Sequence, residues 1–311
     1  MAGINRERKY IDISSKPGCF GALARFWQRS YAADYVCLIL VALGWLAIQL
    51  FVQPFHRMFS LDNVSIQYPF ATVERVPVVW SIIYSGLVPL VIITFWAVAV
   101  RQDSHFAHVS ILGLIATLVI TSFVTDIIKN AVGRPRPDLI SRCGPEKGTP
   151  EHTLVAYTVC SETNQHILHE GWRSFPSGHS SFAFGGLGYL SLFFAGQLHV
   201  FRPRTGLARF LFSIAPLLGA SLIGMSRLAD YRHDVYDVTC GSLLGFFMAY
   251  FIYRRYFPSL RAVDCDVPYS RVDVQTAGFR RISDEEQQLY PVSTTIQPGD
   301  TTLQASRDRI E

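Results

Sequence analysis

The stretch FAHVSILGLIATLVITSFVTDIIKNAVGRPRP, residues 106–137, decides the fold. Its first part, 106–128, is mostly apolar or small, and ~20 such residues suffice to cross the hydrocarbon of a bilayer as a helix. The run breaks off at Lys129, and Gly133, Arg134 and Arg136 follow, with Pro135 and Pro137 marking a helix exit. Cations at such a boundary ordinarily snorkel to the interface, so taken alone Lys129 and Arg136 read as anchors.

Five more blocks share this character: 35–55, 78–100, 180–198, 207–228 and 236–253. The expected fold is therefore all-α, a polytopic membrane protein with six transmembrane helices. The composition, 50% hydrophobic and 17% charged, argues against a soluble helical protein. Blocks four and six are rich in Gly, Ser and Ala, as in helices packed closely against neighbours. Residues 1–34 are a basic entry segment, with an amphipathic surface helix expected around 20–31. Residues 35–257 form the membrane domain, and 258–311 read as a disordered polar tail. Nothing in the chain points to nucleic acid.

Basic residues set the orientation. Arg6, Arg8, Lys9, Lys16, Arg25 and Arg29 precede block one, and Arg101 separates blocks two and three. Arg202, Arg204 and Arg209 lie at the junction of four and five, and Arg254 and Arg255 follow six. With six spans these all fall on one face, which should be cytosolic together with both termini. The long loop after block three then lies outside the cytosol. It holds Cys143 and Cys160, which are expected to pair in that disulfide-permissive compartment. Cys37 and Cys240 read as packing residues, and Cys19 and Cys265 as reduced cytosolic thiols. No CxxC pair supports a zinc site. Asn63-Val64-Ser65 is a glycosylation sequon compatible with this topology.

Three motifs sit at the ends of these blocks: Lys129 to Arg136-Pro137, Pro176-Ser177-Gly178-His179, and Ser226-Arg227 through His233 to Asp237. All fall on the non-cytosolic face, and ionisable residues clustered at membrane depth are functional candidates. Lys129, Arg136 and Arg227 can offset the charge of a phosphate, and arginine forks match its oxygens. Ser177 and Gly178 open a helix whose free N–H groups favour an anion. His233 and Asp237 are four residues apart, so on one helix face the carboxylate can orient the imidazole as nucleophile. His179 can protonate the leaving oxygen. No metal or other cofactor is needed where fixed cations stabilise the charge. Arg134 and Arg173 are surplus cations available to a second phosphate.

These residues resemble the pattern of the type 2 phosphatidic acid phosphatase superfamily, the lipid phosphate phosphatases: Lys-x6-Arg-Pro, Pro-Ser-Gly-His and Ser-Arg-x5-His-x3-Asp. The likeness spans about 35–257. It is similar to the fungal diacylglycerol pyrophosphate phosphatases in the stretches 68–75, 136–138, 230–233 and 253–255. The resemblance implies a phosphohistidine on His233, with Asp237 and His179 assisting. It also implies Mg2+-independent hydrolysis of diacylglycerol pyrophosphate, phosphatidate and lysophosphatidate. It favours the vacuole or another endomembrane, with the plasma membrane as alternative. Rival readings are a phosphatase for glucose 6-phosphate, polyprenyl diphosphate or sphingoid-base phosphate, and a non-catalytic lipid-binding protein. A transporter fits poorly, because the charges gather at one interface rather than at the midplane.

Overall fold

The computed structural model describes Trp27 and residues 30–269. The expected entry helix lies largely outside the described residues, as does the tail beyond 269. The described residues contain no strand, and two isolated bridges tie loop segments together. The long helices are α1 (Ala32–Phe51), α2 (Val78–Arg101) and α3 (Ser104–Val132). The loop after α3 carries the short helices α4 (Leu139–Cys143) and α5 (Gln165–Glu170). Three more long helices follow: α6 (Gly178–Gln197), α7 (Leu207–Ala229) and α8 (Val235–Tyr256).

Five of these, α1, α2, α3, α7 and α8, are long and apolar enough to cross a membrane. The expectation of six spans rests on α6, which is as long as α1 but is not among them. The reason is its position. α6 packs against α2, α3, α7 and α8 and is buried along almost its whole length. A helix enclosed by protein has no need of a lipid-facing leucine surface, and glycines and serines bring its neighbours close. α1 is the opposite: it rests mainly on α3 and buries none of its residues.

Glycine sets the closest approaches. A Cβ on Gly245 of α8 would stand 2.1 Å from the Ser181 carbonyl oxygen, and one on Gly241 would stand 2.6 Å from that of Ser177. The α6–α8 contact therefore tolerates no side chain at either position. α3 ends at Gly133, which has a left-handed φ of 55° and whose N–H bonds the Lys129 carbonyl at 3.1 Å. A side chain there would also collide with the Phe55 carbonyl. This sharp stop leaves Lys129 on the last helical turn and sends Arg134 and Arg136 back across the end of the bundle.

At that end Cys143 and Cys160 form a disulfide that pins the loop after α3. Leu139, Trp172 and Phe59 form a small apolar core beneath it. At the opposite end the packed region runs on to Tyr269. Residues 258–269 were expected in the polar tail, yet Cys265 is fully buried with its Sγ 3.5 Å from the Gly196 carbonyl. Asp266 pairs with Arg101 and with His199. Polar composition hid this contact because its anchors are ion pairs and backbone bonds rather than apolar periodicity. Cys37 and Cys240, expected to pack, are exposed on the outer surface.

Candidate active site

All three motifs meet at one end of the bundle. Ser177 caps α6, its Oγ accepting from the Ser180 N–H, while its own N–H bonds the Asp237 carbonyl at 2.9 Å. That bond joins the start of α6 directly to the first turn of α8. Asp234 and Asp237 form a capping box there, the Asp237 carboxylate accepting from the Asp234 N–H at 3.0 Å. The capping places His233 two residues ahead of the first helical residue, next to the Asp234 cap and buried.

A cavity of about 530 Å³ opens between these elements. Lys129, Arg136, Gly178, His179, Arg227 and His233 line it, so six of the eight residues expected on the basis of sequence share one chamber. The other two, Ser177 and Asp237, are fully buried behind it. Trp45, Val78, Ile82 and Phe182 make an apolar wall on one side of the same cavity. The Lys129 ammonium donates to the Arg173 carbonyl at 3.0 Å.

His233 and Asp237 face each other with Nδ1 3.6 Å from Oδ2. That separation is longer than a hydrogen bond. The carboxylate instead accepts from the Ser174 hydroxyl at 2.6 Å and from Arg134 at 2.7 Å. It is thus held rigidly beside the imidazole. Burial pushes the His233 imidazole down to about 3, Arg136 and Lys129 adding to this and Asp237 opposing it. The ring is neutral and can act as a nucleophile. His179 Nε2 is buried with no hydrogen-bond partner.

The cations carry carboxylate partners. Arg227 pairs with Asp230 at 2.9 Å and Glu74 at 2.8 Å. Arg136 pairs with Glu170 at 2.8 Å, and Arg173 pairs with Glu170 at 3.1 Å and Asp126 at 2.9 Å. Burial alone would raise the Glu170 carboxyl, but Arg136 and Lys129 hold it below its ordinary range.

Residues 110–261 match the family described as the PAP2 superfamily. The "Probable diacylglycerol pyrophosphate phosphatase 1" of Schizosaccharomyces pombe is 37% identical over 272 residues, 85% of this chain and 96% of the relative. The diacylglycerol pyrophosphate phosphatase 1 of Saccharomyces cerevisiae is 42% identical over 252 residues, 78% of this chain and 86% of the relative. Lipid phosphate phosphatase 2 of Arabidopsis thaliana is 34% identical over 275 residues, 85% and 93% respectively.

The chain belongs to the PAP2 superfamily.

No solved structure matches it significantly. The region matched to the PAP2 superfamily contains every residue of the three motifs. With its apolar helices the chain is a multi-pass membrane protein of that superfamily.

Several residues of the site were not legible. Arg134 was read as a surplus cation for phosphate, but it holds Asp237 and, at 2.8 Å, Asp234. It does not line the cavity containing His179. Ser174 and Glu170 had no motif to mark them, and Glu74 and Arg232 stood only within stretches of family likeness, with no role assigned. Their signal is electrostatic: each is a polar group that meets a buried partner brought from a distant part of the chain.

Proposed function

We propose that the chain is a lipid phosphate phosphatase that works through a phosphohistidine on His233. The observation that carries this reading is the single cavity joining two histidines and three motif cations to an apolar wall. A phosphorylated headgroup fits the polar end, and the wall suits the acyl chains beside it. Lys129, Arg136, Arg227 and the N–H groups at the start of α6 would hold the phosphate oxygens.

In the first step His233 Nε2 attacks phosphorus. The bond from phosphorus to the lipid oxygen breaks, and that oxygen takes a proton from a His179 imidazolium, the form favoured once the negative phosphate lies beside it. Asp237 fixes the imidazole through its Nδ1 side and stabilises the charge that develops on it. In the second step a water gives its proton to His179 and its hydroxide to phosphorus. The P–N bond breaks and phosphate departs, restoring both histidines. The charge stabilisation comes from the Lys and Arg groups, so the reaction runs independently of Mg2+.

The substrates would be diacylglycerol pyrophosphate, the lipid in the names of the fungal relatives, and, by the family resemblance, phosphatidate and lysophosphatidate. α6 would be the sixth span, with the site at the non-cytosolic interface and both termini cytosolic. The disulfide in the site-bearing loop supports that side, as do Arg101, Arg202, Arg254 and Arg255 at the other end. A vacuolar or other endomembrane location follows from the fungal likeness, with the plasma membrane as the alternative.

The test is phosphate release by detergent-purified protein in EDTA, with diacylglycerol pyrophosphate and phosphatidate offered side by side. Wild type should release phosphate and His233→Ala should not. Release from neither lipid by folded wild type would shift the reading to polyprenyl diphosphate, a sphingoid-base phosphate or a binding role.

A further inference from the structure

The cavity holds more fixed cations than one phosphate group requires. A phosphate monoester presents three free oxygens, which Lys129, Arg136, Arg227 and the helix N–H groups can already satisfy. Arg142 and Arg232 line the same chamber and hold no fixed position of the three motifs. They are 4% and 8% exposed, and each guanidinium lies 4.5 Å from the centre of the Phe70 ring. Asp138 sits between them, 2.9 Å from Arg142 and 3.6 Å from Arg232. Even so, Arg142 Nη2 and Arg232 Nε are buried donors without a hydrogen-bond partner. Unspent N–H groups in a buried position cost free energy unless a ligand takes them up.

Glu74 shows where such a ligand would sit. One of its oxygens lies 2.8 Å from Arg227 and the other 2.8 Å from Arg232. A single anion therefore already bridges a motif cation and the extra arginine. Glu74 is carried on a loop and keeps 23% of its side chain exposed, so it can swing aside for a stronger anion.

We propose that Arg232 and Arg142, braced on Phe70, form a subsite for a second phosphate, so that the cavity is built for lipids with two phosphates in sequence. The terminal phosphate occupies the motif cations between the two histidines, and the second displaces Glu74 and takes its place on Arg232. This inference rests on the lipid phosphatase reading above. The rival position is the Glu170 side, where Glu170 bridges Arg136 and Arg173 in the same way and Arg173 Nε is also without a partner. That side offers one extra guanidinium, held by Asp126 at 2.9 Å, whereas two are stacked on Phe70.

The experiment compares kcat/KM for diacylglycerol pyrophosphate and for phosphatidate in full-length, detergent-solubilised wild type, Arg232→Gln, Arg232→Lys and Arg173→Gln. The pyrophosphate-to-monophosphate ratio should fall about tenfold or more in Arg232→Gln, in keeping with the loss of a charge-assisted pair. It should recover in part in Arg232→Lys and stay at the wild-type value in Arg173→Gln. An unchanged ratio in Arg232→Gln, or a change confined to Arg173→Gln, overturns the subsite. A second measurement needs no variant: inorganic pyrophosphate should inhibit wild-type phosphatidate hydrolysis at least about tenfold more tightly than inorganic phosphate. Equal inhibition overturns the proposal while leaving the phosphatase reading intact. Failure of wild type to turn over either lipid overturns both.

Discussion

α6 and α1 have the same length and nearly opposite properties. α6 is enclosed by four other helices, is glycine- and serine-rich, and begins with Ser177, Gly178 and His179. α1 is leucine-rich, lies at the edge and has no buried residue. The apolar surface that makes α1 easy to recognise as a span lends the cavity only Trp45. The helix that anchors the proposed phosphate cradle is the one among the six too weak in hydropathy to register as a span. Protein–protein packing in a bilayer rewards small side chains, whereas exposure to lipid rewards large apolar ones. In this chain the chemistry follows packing.

The comparison is broken most decisively at the α6–α8 junction. His233→Ala removes the proposed nucleophile and should reduce phosphate release below detection, while His179→Ala should reduce kcat by ~10²–10⁴-fold. Both are read by single-substrate phosphate release, and near-normal turnover by His233→Ala would remove the proposed mechanism. Gly245→Val comes next. It places two methyl groups where a Cβ alone is already 2.1 Å from a backbone oxygen. The expected cost is at least ~1–3 kcal/mol, seen as a lower melting temperature and poor yield in detergent. A normal melting temperature would show that the two helices can separate.

Protonation sharpens the same contrast. His233 is held at about 3 by burial, against an ordinary value of 6.5. The folded protein therefore takes up this proton at lower pH than the unfolded chain. Stability should decline as pH falls from about 6.5 towards 3, the window between the two values. Imidazole NMR of the substrate-free protein should show His233 neutral at about pH 4.5, and a midpoint near 6.5 would contradict the burial argument.

The smallest effects belong to α1. Trp45→Phe removes one of the bonds to Asp126, 2.6 Å long, at the cavity wall and should raise KM a few-fold, as expected for ~1 kcal/mol. Leu46→Ala on the outer surface should change the melting temperature negligibly, within ~0.5 kcal/mol. If Leu46→Ala proved as harmful as Gly245→Val, the division between core and edge would be wrong.

The same division explains what could be read in the chain. Helices α1, α2, α3, α7 and α8 follow from apolar blocks, and their observed ends lie within a few residues of expectation. The motif residues were legible because their spacing is local and their positions fall at block ends. The pairing of Glu74 with Arg232 was not, although both lie in stretches of family likeness, since a charged residue in a loop has no periodicity and its partner lies 158 positions away in the chain. Arg134 was misread for a related reason. Composition reports that a cation is present, whereas its role depends on which carboxylate the fold brings to it.

The missing Cβ atoms at Gly241 and Gly245 have a dynamic consequence. Backbone packed against backbone leaves α6 and α8 no slack, so the proposed nucleophile and cradle move as one rigid body. The wall facing them is different in kind: α1 leans on α3 with side chains alone, and Trp45 and Gln49 reach Asp126 through hydrogen bonds that can break singly. Breathing of the chamber, and with it the traffic of the proposed substrate and product, is expected to fall to α1.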